Sequence, residues 1–101
     1  MKLLVRPKFY EDTSREELYL LEHAGEVTAE RWHESLWVTI KFLALHPVAG
    51  RERRDLKLGG IRSWRVNDFE RWLVFYGVRG GDLILFRVVS GSMNLYALKL
   101  A

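Results

Sequence analysis

The apolar positions of this chain change period halfway along it. Lys2 to Arg6 is a short apolar run stopped by Pro7, which predicts a strand. Residues 8–23 are rich in Glu and Leu and are followed by Gly25, which predicts a helix and its stop. Its apolar positions, Phe9, Leu20, Leu21 and Ala24 with Thr13 as a weak member, make a ragged stripe. A second helix follows, with Thr28 as its expected cap, about four residues after the first. Here the stripe is clean. Ala29, Trp32, Leu36, Ile40 and Leu43 recur at three or four, Trp37 and Ala44 widen the face, and Pro47 and Gly50 end it. Two helices so closely joined pack antiparallel.

After a charged loop, Arg51 to Gly60, the period becomes two. Ile61 to Val66, Trp72 to Val78 and Leu83 to Val89 are rich in β-branched and aromatic residues. Asn67-Asp68 and Arg79-Gly80-Gly81-Asp82 separate them, so the three runs form an antiparallel meander. Leu95 to Leu100 is expected to add one short strand. Leu83-Ile84-Leu85-Phe86 is apolar on both alternating faces, which requires cover on both sides of the sheet. The helix hairpin covers one; a chain end, a second protomer or a partner must cover the other. The expected class is α+β in the order β-α-α-β-β-β, with the N-terminal strand and helix hairpin on one face of a small antiparallel sheet.

Composition narrows the function classes. With 101 residues the chain is expected to form a single domain over 1–101. It has no Cys, so disulfides and thiolate metal sites are excluded. The apolar run at its start is too short for a signal peptide or a membrane span. These features predict a soluble cytoplasmic protein that does not engage membranes. His23, His33 and His46 lack the spacing of a metal site, and Gly59-Gly60 and Gly80-Gly81 precede no helix, so neither metal nor cofactor is expected.

The net charge of +3 conceals a division. Residues 10–34 hold eight acids against Arg15 and Arg31, a balance of −6; residues 51–101 hold ten bases against five acids, a balance of +5. Such polarity selects partners and speeds association more than it shapes a fold. The loop residues Arg51, Arg53, Arg54 and Lys57 form a basic patch without the interleaved aromatics that stack nucleic-acid bases, which favours an acidic protein partner. In the first meander strand Arg62, Trp64 and Val66 share one face and Ile61, Ser63 and Arg65 the other. Arg and Trp are enriched at binding hot spots. The plainer reading makes Trp64 core and Arg62 a snorkelling surface charge. Arg87 lies within an apolar strand and is expected to pair with Asp12 or Glu17, because an unpaired charge there is costly. Tyr76 reads first as a hydrogen-bonded core residue.

A set of motifs in fixed order carries a family resemblance. Val5-Arg6-Pro7 closes the first strand, and Ala29-Glu30-Arg31-Trp32 opens the second helix. Leu43 to Gly50 closes that helix with His46-Pro47-Val48-Ala49-Gly50. Leu58-Gly59-Gly60-Ile61-Arg62-Ser63-Trp64-Arg65-Val66 leads to Trp72-Leu73-Val74-Phe75-Tyr76, and Ile84 to Gly91 ends the block. The chain resembles the ParE branch of the ParE/RelE toxin superfamily, the toxin halves of bacterial type II toxin–antitoxin pairs, often labelled plasmid stabilisation proteins. The resemblance implies neutralisation by a small antitoxin with an acidic C-terminal tail, and a homodimer within that complex is left open. For the ParE branch it implies inhibition of DNA gyrase by protein binding, without catalysis. The expected target-facing residues are Arg62, Trp64, Arg65, Arg71 and Tyr96. The expected antitoxin contacts are Arg51, Arg53, Arg54, Lys57 and Arg87.

The RelE branch is the alternative. Resemblance to it implies a ribosome-dependent mRNA endonuclease using Arg65, Arg71 and Tyr76. Cleavage of RNA without a metal needs a base, an acid and cations for the phosphorane charge. Arg71 falls where that branch carries a phosphate-gripping Arg. Ser92-Met93-Asn94-Leu95, however, holds no base where RelE nucleases place a catalytic Arg. A third reading is a degenerate, non-toxic relative retained as a binding module.

Overall fold

The computed structural model describes residues 1–56, 59–91 and 94–98. Five strands and two helices follow in the order β1 (Leu3–Val5), α1 (Pro7–Ala24), α2 (Glu26–Leu45), β2 (Arg51–Glu52), β3 (Ile61–Val66), β4 (Phe69–Arg79) and β5 (Asp82–Ser90). The sheet order is β1-β5-β4-β3-β2. The expected α+β class is observed, as is the order of a strand, two helices and then strands, with β2 added where the sequence reads as a charged loop. The sheet is mixed, however: β1 pairs parallel with β5 and every other pairing is antiparallel.

Pro7 opens α1 at its first turn, where a missing N–H costs nothing and a fixed φ fits the helix. The chain then reverses at a single residue. Gly25, with φ of +92°, ends α1 and begins α2, so no four-residue loop exists and Thr28 lies inside the helix. A side chain at that φ is strained. The stripe expected for α2 is buried as read: Trp32, Leu36, Ile40 and Leu43 all face the sheet. The stripe expected for α1 is only partly so. Phe9 and Leu20 are buried, whereas Leu21 is half exposed and the third buried position is Asp12.

These helices cover one side of the sheet, packing on Val66, Trp72, Val74, Tyr76, Leu83, Leu85 and Val88. The other side holds Leu73, Phe75, Ile84, Phe86 and Val89. Its cover comes from the chain itself. Leu56, from a 3-10 turn over Arg54–Leu56, and Leu95 and Leu98, near the C-terminus, pack on it. The expected strand over Leu95 to Leu100 is a 3-10 turn at Leu95–Ala97, and its last two residues lie outside those described.

The ladder between β4 and β5 is irregular at one point. Phe75 aligns with Arg87 and Tyr76 with Leu85, so Phe86 is an extra residue in the ladder. A bulge of this kind resets the alternation of faces. Leu85 and Val88 both face the helices although they are three apart.

Candidate functional site

Four of the arginines singled out above come together on the open side of the sheet. Arg51 and Arg53 from β2 and its end, Arg65 from β3 and Arg71 from β4 line an open groove of about 890 Å³. Ser63, Leu73 and Leu95 contribute to its walls, and Glu70 is its one acid among the described lining residues. Strand parity puts Ser63 and Arg65 on this side, and β2, read only as a charged loop, brings Arg51 beside Ser63 by pairing with β3.

The four cations differ in freedom. Arg53 is buried, with 5% of its surface exposed. Its Nε and Nη2 donate to Asp55 at 3.0 and 2.9 Å, and its Nη1 donates to Ser63 Oγ at 3.0 Å. Its guanidinium also lies over the Phe75 ring, 5.6 Å from the centroid. Those hydrogen bonds hold the Asp55 carboxyl below its ordinary value. Arg53 therefore builds the groove rather than offering an open contact. Arg51 is exposed and 3.5 Å from Asp55. Arg65 is exposed, donating to the Glu70 carbonyl at 2.6 Å. Arg71 is exposed over Trp72, 5.7 Å from the ring centroid. Arg54 is exposed and 3.4 Å from Glu52. Lys57 lies outside the described residues, as does the side chain of Tyr96.

Arg62 and Arg87 lie outside the groove, and Trp64 lines it while turning its ring to the helices. Arg62 and Trp64 point to the helix side, since β3 alternates. Trp64 stacks on Phe42 of α2, with centroids 5.5 Å apart. Arg62 donates to the carbonyl of Gly50 at 2.7 Å and, more weakly, to that of Val48 at 3.4 Å, tying down the loop after α2. Arg87 also turns to the helices, next to the bulge at Phe86 where the alternation of faces is broken. It grips Asp12 with Nε to Oδ2 at 2.7 Å and Nη2 to Oδ1 at 2.9 Å. Arg15 Nη2 reaches Oδ1 at 2.7 Å, and the Val88 N–H donates to Oδ2 at 3.1 Å. Both oxygens of this buried carboxylate are thus doubly engaged, which is the condition for keeping a charge out of water. The expected pairing of Arg87 with α1 is observed, with Asp12 as its partner; a surface role for Arg87 is not.

Tyr76 is fully buried. Its hydroxyl donates to the Pro47 carbonyl at 2.8 Å and accepts from the Gly50 N–H at 2.9 Å. Burial pushes its pKa up and weakens it as an acid, against the opposing pull of the Gly50 N–H and the Arg62 charge. A Cβ on residue 50 would lie 2.5 Å from the Tyr76 oxygen and 2.9 Å from the Ser63 carbonyl, so only glycine fits. The Pro47-Val48-Ala49-Gly50 motif, Arg62 and Tyr76 therefore form one lock. A tyrosine so engaged is in no position to protonate a leaving group in the groove.

Sequence reasoning missed Ser63 as the anchor of Arg53, although its shared face with Arg65 pointed there. It also missed the Glu70 carbonyl that holds Arg65, for which residue type gives no signal. Among the described residues no cluster of His, Asp and Glu could hold a metal ion, and no helix is long and apolar enough to cross a membrane.

A family model described as the ParE toxin of type II toxin–antitoxin system, parDE, matches residues 3–95. Toxin ParE3 of Caulobacter vibrioides is 38% identical over 55 residues, which make up 54% of this chain and 51% of that protein. The chain thus spans about half the length of the curated relative it matches. A solved structure described as a chromosomal ParDE TA system from P. aeruginosa shares the fold, with a TM-score of 0.76 over 89% of this chain and 95% of that one at 17% identity.

Proposed function

The chain belongs to the ParE toxin family, and on that premise we propose that it is the toxin half of a type II toxin–antitoxin pair. An acidic segment of the antitoxin occupies the arginine groove, and the target is DNA gyrase, bound rather than cut. The observation that carries this reading is the convergence of Arg51, Arg53, Arg65 and Arg71 on one groove with a single acid among its described lining residues. Exposed cations on a fixed wall favour fast capture of an acidic chain. Arg54, Lys57 and Tyr96 extend the same contact surface in this proposal. Arg65 and Arg71 serve the target as well, so an antitoxin seated there excludes it.

The experiment is a gyrase supercoiling assay with purified protein. Inhibition at micromolar protein, relieved by the antitoxin, is expected; unchanged supercoiling overturns the gyrase assignment. The nuclease alternative retains Arg65 and Arg71 in one groove but loses Tyr76 to the loop lock. Primer extension on translated messages separates the two readings, because only a nuclease gives cleavage ends that vanish in Arg71→Ala. Overproduction without growth arrest would mark a non-toxic relative.

A further inference from the structure

A second groove lies on the far side of the molecule. It runs between α1 and α2, away from the sheet, and holds about 550 Å³. Leu18 and Leu21 line it while keeping 55% and 49% of their surface in water. They are three apart on one helix face, so a single docked helix covers both. Four carboxylates flank them: Glu17, Glu26, Glu30 and Glu34. Among the described lining residues no Lys or Arg answers these charges; His33 is engaged by Glu17 across the gap between the helices.

We propose that this groove receives a basic amphipathic helix from the partner chain. Its apolar side seats on Leu18 and Leu21, and its Lys or Arg flanks face Glu30 and Glu34. The inference rests on the reading of this chain as half of a two-protein pair. Charge selects the occupant. A second copy packed by the same surface would bring its own α1–α2 groove, which lies within the segment of balance −6, against the same carboxylates. Anionic lipid is repelled in the same way, and an acidic peptide belongs to the arginine groove instead. One partner filling both grooves therefore carries charges of both signs in separate segments. The molecule is 22 Å across its shortest dimension. Crossing a body of that thickness takes about seven extended residues at ~3.3 Å each.

The test titrates 15N-labelled protein with a 14-residue peptide of Leu and Lys at helical spacing, and separately with its Leu and Glu counterpart. The expected result is saturable binding of the Lys peptide, with amide shifts concentrated in residues 14–34. Glu30→Lys/Glu34→Lys and Leu18→Ser/Leu21→Ser should each weaken it by about tenfold or more, since each removes surface contacts from the seat. Equal binding of the Glu peptide, shifts spread over the sheet, or affinity within about twofold in the charge-reversed variant would overturn the proposal. Growth arrest is read separately in cells. Its loss with groove binding intact counts against the toxin reading alone, and its presence without groove binding counts against this proposal alone.

Discussion

Tyr76 shows how a residue type can suggest chemistry and supply architecture. Its hydroxyl closes the loop after α2 by bonding both Pro47 and Gly50. Tyr76→Phe leaves the buried Gly50 N–H without its acceptor, so a loss of about 1–3 kcal/mol in urea denaturation is expected. The phenol is held neutral in the fold, with its acidity weakened from the usual value of about 10. A raised value in the fold means that the native state keeps its proton longer. The stabilisation is complete below about pH 10 and is lost as pH climbs through the higher folded value. The stability gap between the wild type and Tyr76→Phe should therefore be flat from pH 7 to 9 and narrow above 10, as measured by urea midpoints. Asp12 carries more. Removing it takes the carboxylate from Arg87 beneath α1 and the side-chain acceptor from the Val88 N–H. Asp12→Ala should cost about 3–5 kcal/mol, a large share of a small domain's total stability. A thermal melt within a degree or two of wild type would refute that role.

Elements were legible where one periodicity ran long enough. The clean stripe of α2 appears in the structure as its buried face, and the three meander runs appear as β3, β4 and β5. The ragged stripe of α1 misled because the helix spends one inward position on Asp12 and leaves Leu18 and Leu21 outside. Pattern reading expects apolar residues inward and has no place for a buried acid whose partner is 75 residues away. The join of α1 and α2 was also misread. Thr28 has the chemistry of a cap, but Gly25 turns the chain by itself. Gly25→Ala should destabilise by about 1 kcal/mol or more, because Ala must hold the φ of +92° that glycine holds freely. An unchanged denaturation midpoint would count against this account of the turn. β2 escaped notice because two residues give no period.

At the scale of the molecule, charge polarity is spatial as well as sequential. Carboxylates flank a groove on the helix layer, and arginines line one on the opposite side of the sheet. Capture of an acidic antitoxin at the arginine groove should then slow steeply with added salt, since the Debye length shortens from about 10 Å at 0.1 M to about 3 Å at 1 M. Stopped-flow association of the cognate antitoxin between those salt levels checks this. Replacing Arg51, Arg65 and Arg71 together by Ala should flatten the salt dependence and lower the association rate. Arg53 is left out of that variant because Asp55, Ser63 and Phe75 depend on it.

The sequence by itself determined the α+β class, the order of the elements other than β2, the buried face of α2, the uneven charge and the family resemblance. These follow from period, composition and local motif order, which need no knowledge of distant neighbours. Tertiary structure alone decided which arginines act together. Arg62, Arg65 and Arg87 are alike as residues, yet strand parity sends one inward to a loop and one outward to the groove, and a bulged strand hands the third to Asp12. Parity can be counted in a sequence, but a bulge and the far partner of a buried charge are fixed only when the strands and helices have packed.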